Sequence, residues 1–339
     1  MSIINRKKQH IEICLKEEIE EKSYFDDIVL IYNALPDINF DEIDTKVEFL
    51  GKELNLPLII SSITGGTEEA KEINKVLAKV AENKKIGFAV GSQRAMIENK
   101  ELIETFFVRD VAPSTLVLGN IGIPNLNELS SEEIKNALKE IGADGLFIHL
   151  NPAQEIAQKE GDVNFKNSAE LLKKLVSELD FPIIAKEVGQ GISKEVGETL
   201  KNCGIKIIDV AGVGGTNWIK VETFRGGSIP DSLLNFGIPT TCSLLELKNI
   251  GVDLISSGGI RNGLDIAKSI AVGAKICGIA LPFLKAYENG GEKGIIDYID
   301  KIENELKTVM FLVGAKNIKE LRNKKYILKG FTREWNEQI

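Results

Sequence analysis

Short apolar runs alternate with amphipathic segments along most of the chain. Eight of these runs have the length and character of buried parallel strands, and they span residues 56–62, 86–91, 115–120, 145–150, 181–188, 205–211, 252–257 and 274–281. Helical patterns lie between most of them, for example at 68–84 and 130–142. Eight strand–helix units predict an α/β fold of the (β/α)8 TIM barrel type. A doubly wound open sheet is the alternative on the same pattern.

The segments that flank the barrel have a different pattern. Residues 1–55 are polar and predict an N-terminal extension, residues 56–299 hold the barrel with its site, and residues 300–339 predict a helical tail packed on the outside of the barrel. The stretch 213–249 after the sixth strand is longer than an ordinary loop, and residues 217–232 within it predict a lid over a substrate.

Composition and charge narrow the class of protein. The 339 residues carry a net charge of −8, which argues against a nucleic-acid partner. Apolar runs stay well short of the ~18 residues that a membrane span needs. The four cysteines, Cys14, Cys203, Cys242 and Cys277, are widely spaced and predict neither a disulfide framework nor a zinc site. We therefore expect a soluble cytoplasmic protein with no membrane partner.

Polar side chains follow the predicted strands where each strand ends. In a barrel these ends form one face with the βα loops, which is where active sites lie. The residues at that face are Ser62, Thr64, Gly65, Gly66, Ser92, Gln93, Arg94, Asn120, His149, Asn151, Gln154, Glu155, Lys186, Glu187, Thr216, Ser257, Gly258, Gly259 and Arg261. So many hydrogen-bonding groups at one rim predict a ligand site.

The glycine-containing segment "SSGGIRNG" at 256–263 predicts a phosphate site. Glycines expose backbone N–H groups and a helix begins near Leu264, and both features favour a bound anion. Barrels commonly bind phosphate at the loops after strands 7 and 8, and "ALPF" at 280–283 follows strand 8. A tight turn before a helix is the structural alternative.

Lys186 ends the fifth strand and admits several roles. A lysine in a barrel mouth can form a Schiff base, hold an anionic ligand, or pair with the adjacent Glu187. The many donors at the rim favour a large planar cofactor with a phosphate tail. The small residues of "SITGG" (62–66) and "GNIG" (119–122) would let a flat ring approach the backbone.

Basic side chains predict a polyanionic substrate. Arg94 near the mouth, together with Arg6, Lys7 and His149, suits a diphosphate. Glu155 is a candidate ligand for Mg²⁺, which binds one or two carboxylates together with phosphate and water oxygens. A role for His149 as a base is also open.

Several motifs in order resemble the type 2 isopentenyl-diphosphate isomerases, a family of FMN-dependent enzymes that interconvert isopentenyl and dimethylallyl diphosphates. The motifs are "RKKQHI" (6–11), "NALPDI" (33–38), "ITGG" (63–66), "GSQR" (91–94), "HLNPAQE" (149–155), "KEVGQGIS" (186–193), "DVAGVGGTNW" (209–218) and "SSGGIRNGLDIAKSIAVGA" (256–274). The resemblance covers the whole chain.

The resemblance implies a role for each matched residue. FMN would be held by Ser62, Ile63, Thr64, Gly65, Ser92, Asn120, Lys186, Thr216, Gly259, Ile260, Arg261, Ala280 and Leu281. The substrate diphosphate would be bound by Arg6, Lys7, Ser92, Gln93, Arg94, His149 and Asn151. Gln154 would lie beside the reacting alkene, with Gln154 and His149 as the catalytic candidates, and Glu155 would bind Mg²⁺.

The family chemistry also implies partners of the site. Moving a double bond requires one proton to be added and another removed, and reduced FMN would relay the proton while Lys186 stabilises the reduced ring. NADPH is the expected reductant. The family forms homotetramers or homo-octamers, in which Arg6 and Lys7 would reach a neighbouring subunit. Two positions depart from the family pattern: Ile63, where methionine is usual, and Asn217, where serine is usual.

Three other functions compete with this one. An FMN-dependent 2-hydroxy-acid oxidase shares the flavin barrel, but it needs a histidine base near strand 7, and this chain has no histidine after His149. A sensor that binds flavin or isoprenoid without turnover would lack a use for Gln154 and Glu155. A Schiff-base aldolase would be revealed by borohydride trapping at Lys186.

Overall fold

The computed structural model describes residues 3–339, and side chains from Asn5 onward. The strands are β1 (Ile28–Leu30), β2 (Val47–Phe49), β3 (Lys52–Leu54), β4 (Leu58–Ile60), β5 (Gly87–Ala89), β6 (Val117–Gly122), β7 (Gly145–His149), β8 (Ile183–Lys186), β9 (Ile207–Asp209), β10 (Asp253–Ser257), β11 (Ile276–Ile279) and β12 (Tyr326–Leu328).

Helices occupy most of the chain between the strands. The α-helices are α1 (Ile3–Lys16), α2 (Glu68–Lys84), α3 (Arg94–Glu98), α4 (Ser131–Glu140), α5 (Pro152–Ala157), α6 (Ser168–Glu178), α7 (Lys194–Asn202), α8 (Trp218–Phe224), α9 (Thr240–Leu247), α10 (Gly263–Val272), α11 (Leu281–Val313), α12 (Ile318–Arg322) and α13 (Gly330–Asn336). Short 3-10 helices lie at Phe25–Asp27, Phe40–Glu42, Lys100–Thr105, Ile123–Asn127 and Asp231–Leu233.

Strands β4 to β11 close a parallel barrel in chain order. Each strand pairs with the next one in sequence, and β11 returns to β4 with Ile279 opposite Ile60. All eight apolar runs therefore form barrel strands, which confirms the (β/α)8 prediction over the open sheet. Their carboxyl ends meet at one face of the barrel.

Local sequence explains why the helices begin where they do. The Thr67 hydroxyl accepts from the N–H of Ala70 at the start of α2, and Lys85 in a left-handed conformation ends that helix. Ser130 and Glu133 form a reciprocal capping box before α4. Both devices satisfy backbone groups that a helix end leaves unpaired. The predicted helices at 68–84 and 130–142 are confirmed.

The opposite end of the barrel is closed by a small hairpin. Strands β2 and β3 pair antiparallel, and the side chains of Phe49 and Leu54 pack on apolar residues from all eight barrel strands. The barrel members of this cluster are Ile59, Ala89, Leu116, Leu118, Phe147, Ile184, Ile207, Ile255 and Ile276. The N-terminal extension, which the sequence showed as a polar segment, thus also supplies the hairpin that closes this end of the barrel.

The two ends of the chain meet on the outside of the barrel. Strand β1 pairs antiparallel with β12, with Val29 opposite Ile327. Helix α11 passes through residue 300, and within it only Gly291 has a non-helical conformation. The predicted domain boundaries at residues 55 and 299 stay a prediction. Residue 299 lies inside α11, so no break in secondary structure marks it.

Within residues 3–339, no helix combines the length and apolar character needed to cross a membrane. The cysteines Cys14, Cys203, Cys242 and Cys277 are free and buried.

Candidate active site

One cavity opens at the carboxyl ends of the barrel strands, and it gathers most of the predicted site residues. Helices α1, α5 and α8 add walls to it. The predicted residues that line it are Arg6, Lys7, Ser62, Ile63, Ser92, Arg94, Asn120, His149, Asn151, Gln154, Glu155, Lys186, Thr216, Gly259, Ile260, Arg261, Ala280 and Leu281. The rim residues named from strand ends therefore converge on a single space.

Gln93 is a correction, because its side chain turns away from the cavity. Its Nε2 donates to the Ala137 carbonyl at 3.1 Å, and its Oε1 accepts from the Asn120 N–H at 3.1 Å. The side chain is fully buried. A residue so engaged supports Asn120 from behind and is not placed to bind a substrate.

Thr64 and Gly65 also lie behind the cavity wall. The Thr64 carbonyl accepts from the N–H of Gly91 at 3.0 Å. A Cβ atom at Gly65 would lie 2.1 Å from Cε1 of Phe106, so only glycine fits this close packing. These two residues shape the turn after β4, and their contact with a ligand stays a prediction.

The floor of the cavity holds a buried ion pair that the sequence did not predict. Lys186 Nζ lies 2.9 Å from Asp209 Oδ2, and the Ser257 hydroxyl donates to Asp209 Oδ1 at 2.6 Å. Three strands, β8, β9 and β10, thus fix the ammonium group. The expected alternative partner, Glu187, instead accepts from the N–H groups of residues 188–190. Burial raises the pKa of Glu187 to about 7, against the lowering effect of those N–H groups.

The predicted phosphate turn has the geometry of a backbone cradle. Gly258 and Gly259 have φ values of +92° and +90°, and a Cβ at Gly259 would lie 2.5 Å from the Gly214 carbonyl oxygen. Asn262 then caps α10 by accepting from the N–H of Asp265 at 2.8 Å. The Arg261 guanidinium is held by the Glu20 carboxylate. The N–H groups of Arg261 and Gly263 already donate to the carboxylates of Asp265 and Glu305, so a phosphate would bind the turn at residues 258–260, and this site stays a prediction.

His149 faces the cavity as a neutral imidazole. Its Nδ1 lies 2.6 Å from Asn120 Oδ1, an acceptor, so Nδ1 carries the proton. Burial, then the charges of Lys7 and Lys186, lower the pKa of His149 to about 3. Gly122 leaves room for the ring, because a Cβ there would lie 2.8 Å from Nε2. The Nε2 lone pair is therefore available to the cavity.

Glu222 in α8 organises the side of the cavity next to Gln154. Its carboxylate accepts from His10 Nε2 at 2.9 Å and from Gln154 Nε2 at 3.1 Å, and it pairs with Arg225. Burial opposes ionisation, but the hydrogen bonds from His10 and Gln154, together with the charges of His10 and Arg225, outweigh it and lower the pKa of Glu222. Residue-by-residue reasoning missed this group, although His10 lies in the quoted "RKKQHI" and Glu222 in the predicted lid.

Glu155 is held in the wall by its neighbours. Oε1 accepts from Asn151 Nδ2 at 2.8 Å, and Oε2 accepts from the N–H of Asp162 at 2.7 Å. In residues 3–339 no group of three or more His, Cys, Asp and Glu side chains is arranged to hold a metal ion. A magnesium ion at Glu155 would therefore take its other ligands from phosphate and water.

The N-terminal helix α1 brings its basic residues into the cavity of its own chain. Arg6 and Lys7 line the wall. Burial, then the neighbouring Arg6, lowers the pKa of Lys7 to about 8, against the raising effect of Glu222. Arg94 lies at the rim, paired with Glu98 at 2.6 Å and with Glu128 at 3.4 Å. Within one chain α1 lines that chain's own cavity, and its contact with a neighbouring subunit stays a prediction.

The cavity fits a large polar cofactor such as FMN. Among the described residues, the buried oxygens of Ser61, Ser62 and Asn151 have no hydrogen-bond partner, although all three line the cavity. Buried polar atoms need partners, and a ligand in the cavity would supply them. Ile63 keeps an apolar surface in the wall. Of the predicted lid, Trp218 reaches the cavity, with its ring 5.1 Å from that of His10.

Comparison with known proteins identifies close relatives. An isopentenyl-diphosphate delta-isomerase of Pyrococcus furiosus is 43% identical over 98% of this chain and 89% of its own length. Proteins of the same name from Methanocaldococcus jannaschii and Methanococcoides burtonii are 45% and 44% identical, over 98% and 100% of this chain and 96% of each relative.

Solved structures and a family model support the fold. A mandelate oxidase with (S)-2-phenylpropionate has a TM-score of 0.67 at 15% identity, covering 94% of both chains. A flavocytochrome b2 variant with pyruvate bound has a TM-score of 0.67 at 19% identity, covering 95% of this chain and 83% of that one. The FMN-dependent dehydrogenase family model matches residues 148–328, more than half of the chain. Together with the relatives above, this match shows that the chain belongs to the isopentenyl-diphosphate delta-isomerase family, within the fold of the FMN-dependent dehydrogenases.

Proposed function

We propose that the protein interconverts isopentenyl diphosphate and dimethylallyl diphosphate, using reduced FMN and Mg²⁺. The observation that carries this proposal is the fixed amide of Gln154. It lines the same cavity as the basic residues Arg6 and Lys7 and the floor residue Lys186. Glu222 accepts from one end of the amide at 3.1 Å, and Asn151 donates to the other at 3.3 Å.

Residues of the cavity lining would bind each part of FMN. The cradle at Gly258 and Gly259 would hold the phosphate, and Ser62, Asn120 and Thr216 would bind along the rest of the cofactor. When bound in its reduced form, FMN supplies a ring nitrogen that can exchange a proton with the substrate without net oxidation. Lys186, fixed by Asp209, would hold its positive charge against the bound ring and favour the reduced anion.

The basic wall would bind the diphosphate. Arg6, Lys7 and Arg94 supply positive charge, and His149 supplies Nε2 to the same end of the cavity. A bound polyanion offsets the two lysine charges that hold the pKa of His149 low, so we expect the imidazole to gain proton affinity on binding. Glu155 would add the magnesium ion that neutralises the remaining phosphate charge.

The Gln154 side of the cavity would serve the hydrocarbon end. Protonating an alkene creates positive charge on carbon, which a nearby anion stabilises. Glu222 is buried and its pKa is lowered, so it carries that negative charge, and Gln154 lies between it and the substrate. Trp218 covers the same side and helps to exclude water, which would otherwise capture the cation. Gln154 thus orients the alkene, since an amide is not a strong acid.

The decisive experiment measures isomerisation directly. Purified protein with FMN, Mg²⁺ and isopentenyl diphosphate should form dimethylallyl diphosphate only after addition of dithionite or NADPH. Gln154→Ala should lower kcat by about 10²-fold, the usual cost of misplacing the reacting atoms by about 1 Å. A matched Gln338→Ala change in the exposed C-terminal turn should leave kcat unchanged. A protein whose oxidised, yellow FMN is bleached by 2-hydroxy acids, and which isomerises nothing when reduced, would overturn the proposal.

Reduction by NADPH, a cytoplasmic location and a tetrameric or octameric assembly are carried over from the family resemblance. They are included in the proposal. Oxidation of NADPH by the FMN-loaded protein tests the reductant, and the mass of the protein in solution tests the assembly.

A further inference from the structure

Asn217 lies where three segments of the cavity mouth meet. It caps α8, because its Oδ1 accepts from the N–H groups of Ile219 at 3.0 Å and Lys220 at 3.2 Å. Its Nδ2 donates to Glu21 Oε1 at 2.9 Å and to the Leu234 carbonyl at 2.6 Å. The side chain is buried, and its partner Glu21 lies 196 positions away in the sequence.

The first of these segments is the N-terminal strap, which we define as residues 17–21. Its backbone runs beside residues 215–217: Glu21 N–H donates to the Gly215 carbonyl at 2.9 Å, and the Ile19 carbonyl accepts from Asn217 N–H at 2.8 Å. The strap follows α1 directly. Its position therefore decides where Arg6, Lys7 and His10 stand in the cavity.

The strap also carries charges that bind the mouth. Glu20 pairs with Lys285 at 2.6 Å and with Arg261, and Glu21 pairs with Lys220 at 2.6 Å. The side chains of these pairs are 14–42% exposed, and partly exposed pairs are individually weak and are screened by salt. The buried amide of Asn217 is better protected from water than any of them.

The second segment is residues 225–238, which follow α8 and overlap the predicted lid at 217–232; we call them the lid loop. The Ser228 N–H donates to the Ala157 carbonyl at 3.1 Å, at the end of α5. Helix α5 carries Gln154 and Glu155. Through Leu234, Asn217 is thus joined to the segment that packs on the reacting side of the cavity.

An amide at this position performs two tasks that a hydroxyl cannot perform together. A serine oxygen would still cap α8, since serine is among the best N-cap residues. It has one hydrogen to donate, on a much shorter side chain, and could not reach both Glu21 and Leu234. The exchange of asparagine for serine therefore separates capping from joining.

We propose that Asn217 is a positioning residue that joins the N-terminal strap to the lid loop within one chain. By this contact it would hold Arg6 and Lys7 in the position that binds the diphosphate before the diphosphate enters the cavity. The part that concerns the diphosphate rests on the proposed function. The part that concerns the strap is a property of the folded protein alone.

The test compares Asn217→Ser with wild type by hydrogen exchange and by kinetics. Residues 5–21 of the FMN-loaded protein should exchange about five- to tenfold faster in the variant, as expected when hydrogen bonds of ordinary strength are lost. KM for isopentenyl diphosphate should rise by a similar factor, while kcat stays within about twofold. Asn317→Ser is the matched control, because Asn317 caps α12 with the Glu320 N–H at 2.9 Å and does not line the cavity.

Each outcome decides one of the two ideas. Unchanged exchange in residues 5–21 overturns the proposal, and so does exchange that rises equally throughout the protein. If residues 5–21 loosen but wild type shows no isomerisation, the strap joint stands and the proposed function fails. If Asn217→Ser does not fold, Glu21→Ala removes the acceptor on the strap and leaves the cap intact, and the same exchange pattern is required of it.

Discussion

The two ends of this barrel differ in how their buried side chains are packed and paired. At the carboxyl end, polar atoms of Ser62 and Asn151 are buried without partners, and the pKa of His149 is driven down to about 3 by burial and nearby lysines. At the amino end, Phe49 and Leu54 of the β2–β3 hairpin pack into a closed apolar cluster. The amino end is packed by the protein's own apolar side chains, whereas the carboxyl end leaves buried oxygens of Ser62 and Asn151 without a protein partner.

This difference explains how one small fold serves stability and chemistry together. The buried cluster at the amino end and the barrel interior contribute hydrophobic stabilisation. That stability allows the opposite rim to keep unpaired donors and a buried charge, which would be costly in an isolated site. Substitutions at the two ends should therefore have separable effects, and three of them test the separation.

Of the three substitutions, Lys186→Met should have the largest effect on stability and activity. Removing the ammonium leaves Asp209 buried without its partner, and breaking such a pair costs roughly 3–5 kcal/mol. We expect a loss of stability in chemical denaturation together with a loss of isomerisation. Lys186→Met combined with Asp209→Asn should recover most of the stability and none of the activity. Recovery of both would show that the lysine has no role beyond neutralising Asp209.

Phe49→Ala should give the opposite result at the amino end. Its side chain is almost fully buried, and truncating a core phenylalanine costs about 3–5 kcal/mol of unfolding free energy. KM and kcat of the folded fraction should not change, because Phe49 lies at the far end of the barrel. Leu35→Ala, at an 83% exposed position, should change the unfolding free energy by less than about 0.5 kcal/mol. A changed KM in Phe49→Ala would contradict the independence of the two ends.

The smallest effect should appear in the pH dependence of substrate binding. The pKa of Lys7 is lowered to about 8 by burial beside Arg6, so the ammonium that binds a polyanion is present below pH 8 and is lost as the pH rises through it. We expect kcat/KM to fall by up to about tenfold between pH 7 and pH 9.5. Lys7→Arg should remove this fall, because a guanidinium stays charged.

The neighbouring exposed Lys8 provides the control for this profile. Lys8→Arg should retain the full decline above pH 8. A decline that persists in Lys7→Arg would assign the titration to the cofactor or the substrate and would remove Lys7 from the binding wall.

The sequence predicted the barrel because its strands are buried on both faces. Runs such as 58–60 and 145–148 are apolar throughout, and the intervening helices carry their own start and stop residues. The convergence of rim residues followed from the topology alone, since carboxyl ends of barrel strands meet at one face. Pattern and topology were enough for the fold and for most of the cavity wall.

Long-range pairs and side-chain directions were not available from the pattern. Asp209 ends a neighbouring strand, and its pairing with Lys186 depends on the register of β8 against β9. His10 and Glu222 are separated by 212 positions, so nothing local connects them. Gln93 stands at a rim position, yet the turn after β5 points its amide inward, which a residue-type argument cannot determine. Asn217 was marked as unusual, but its contacts could not be foreseen.

The pairing of β1 with β12 has a consequence for the order in which the molecule is completed. Its partners, Ile28–Leu30 and Tyr326–Leu328, are nearly the full chain apart. During synthesis β1 can pair only after residue 328 has left the ribosome, so this strand pair forms after all eight barrel strands are available. The contact between the N-terminal extension and β12 is thus among the last long-range contacts to form.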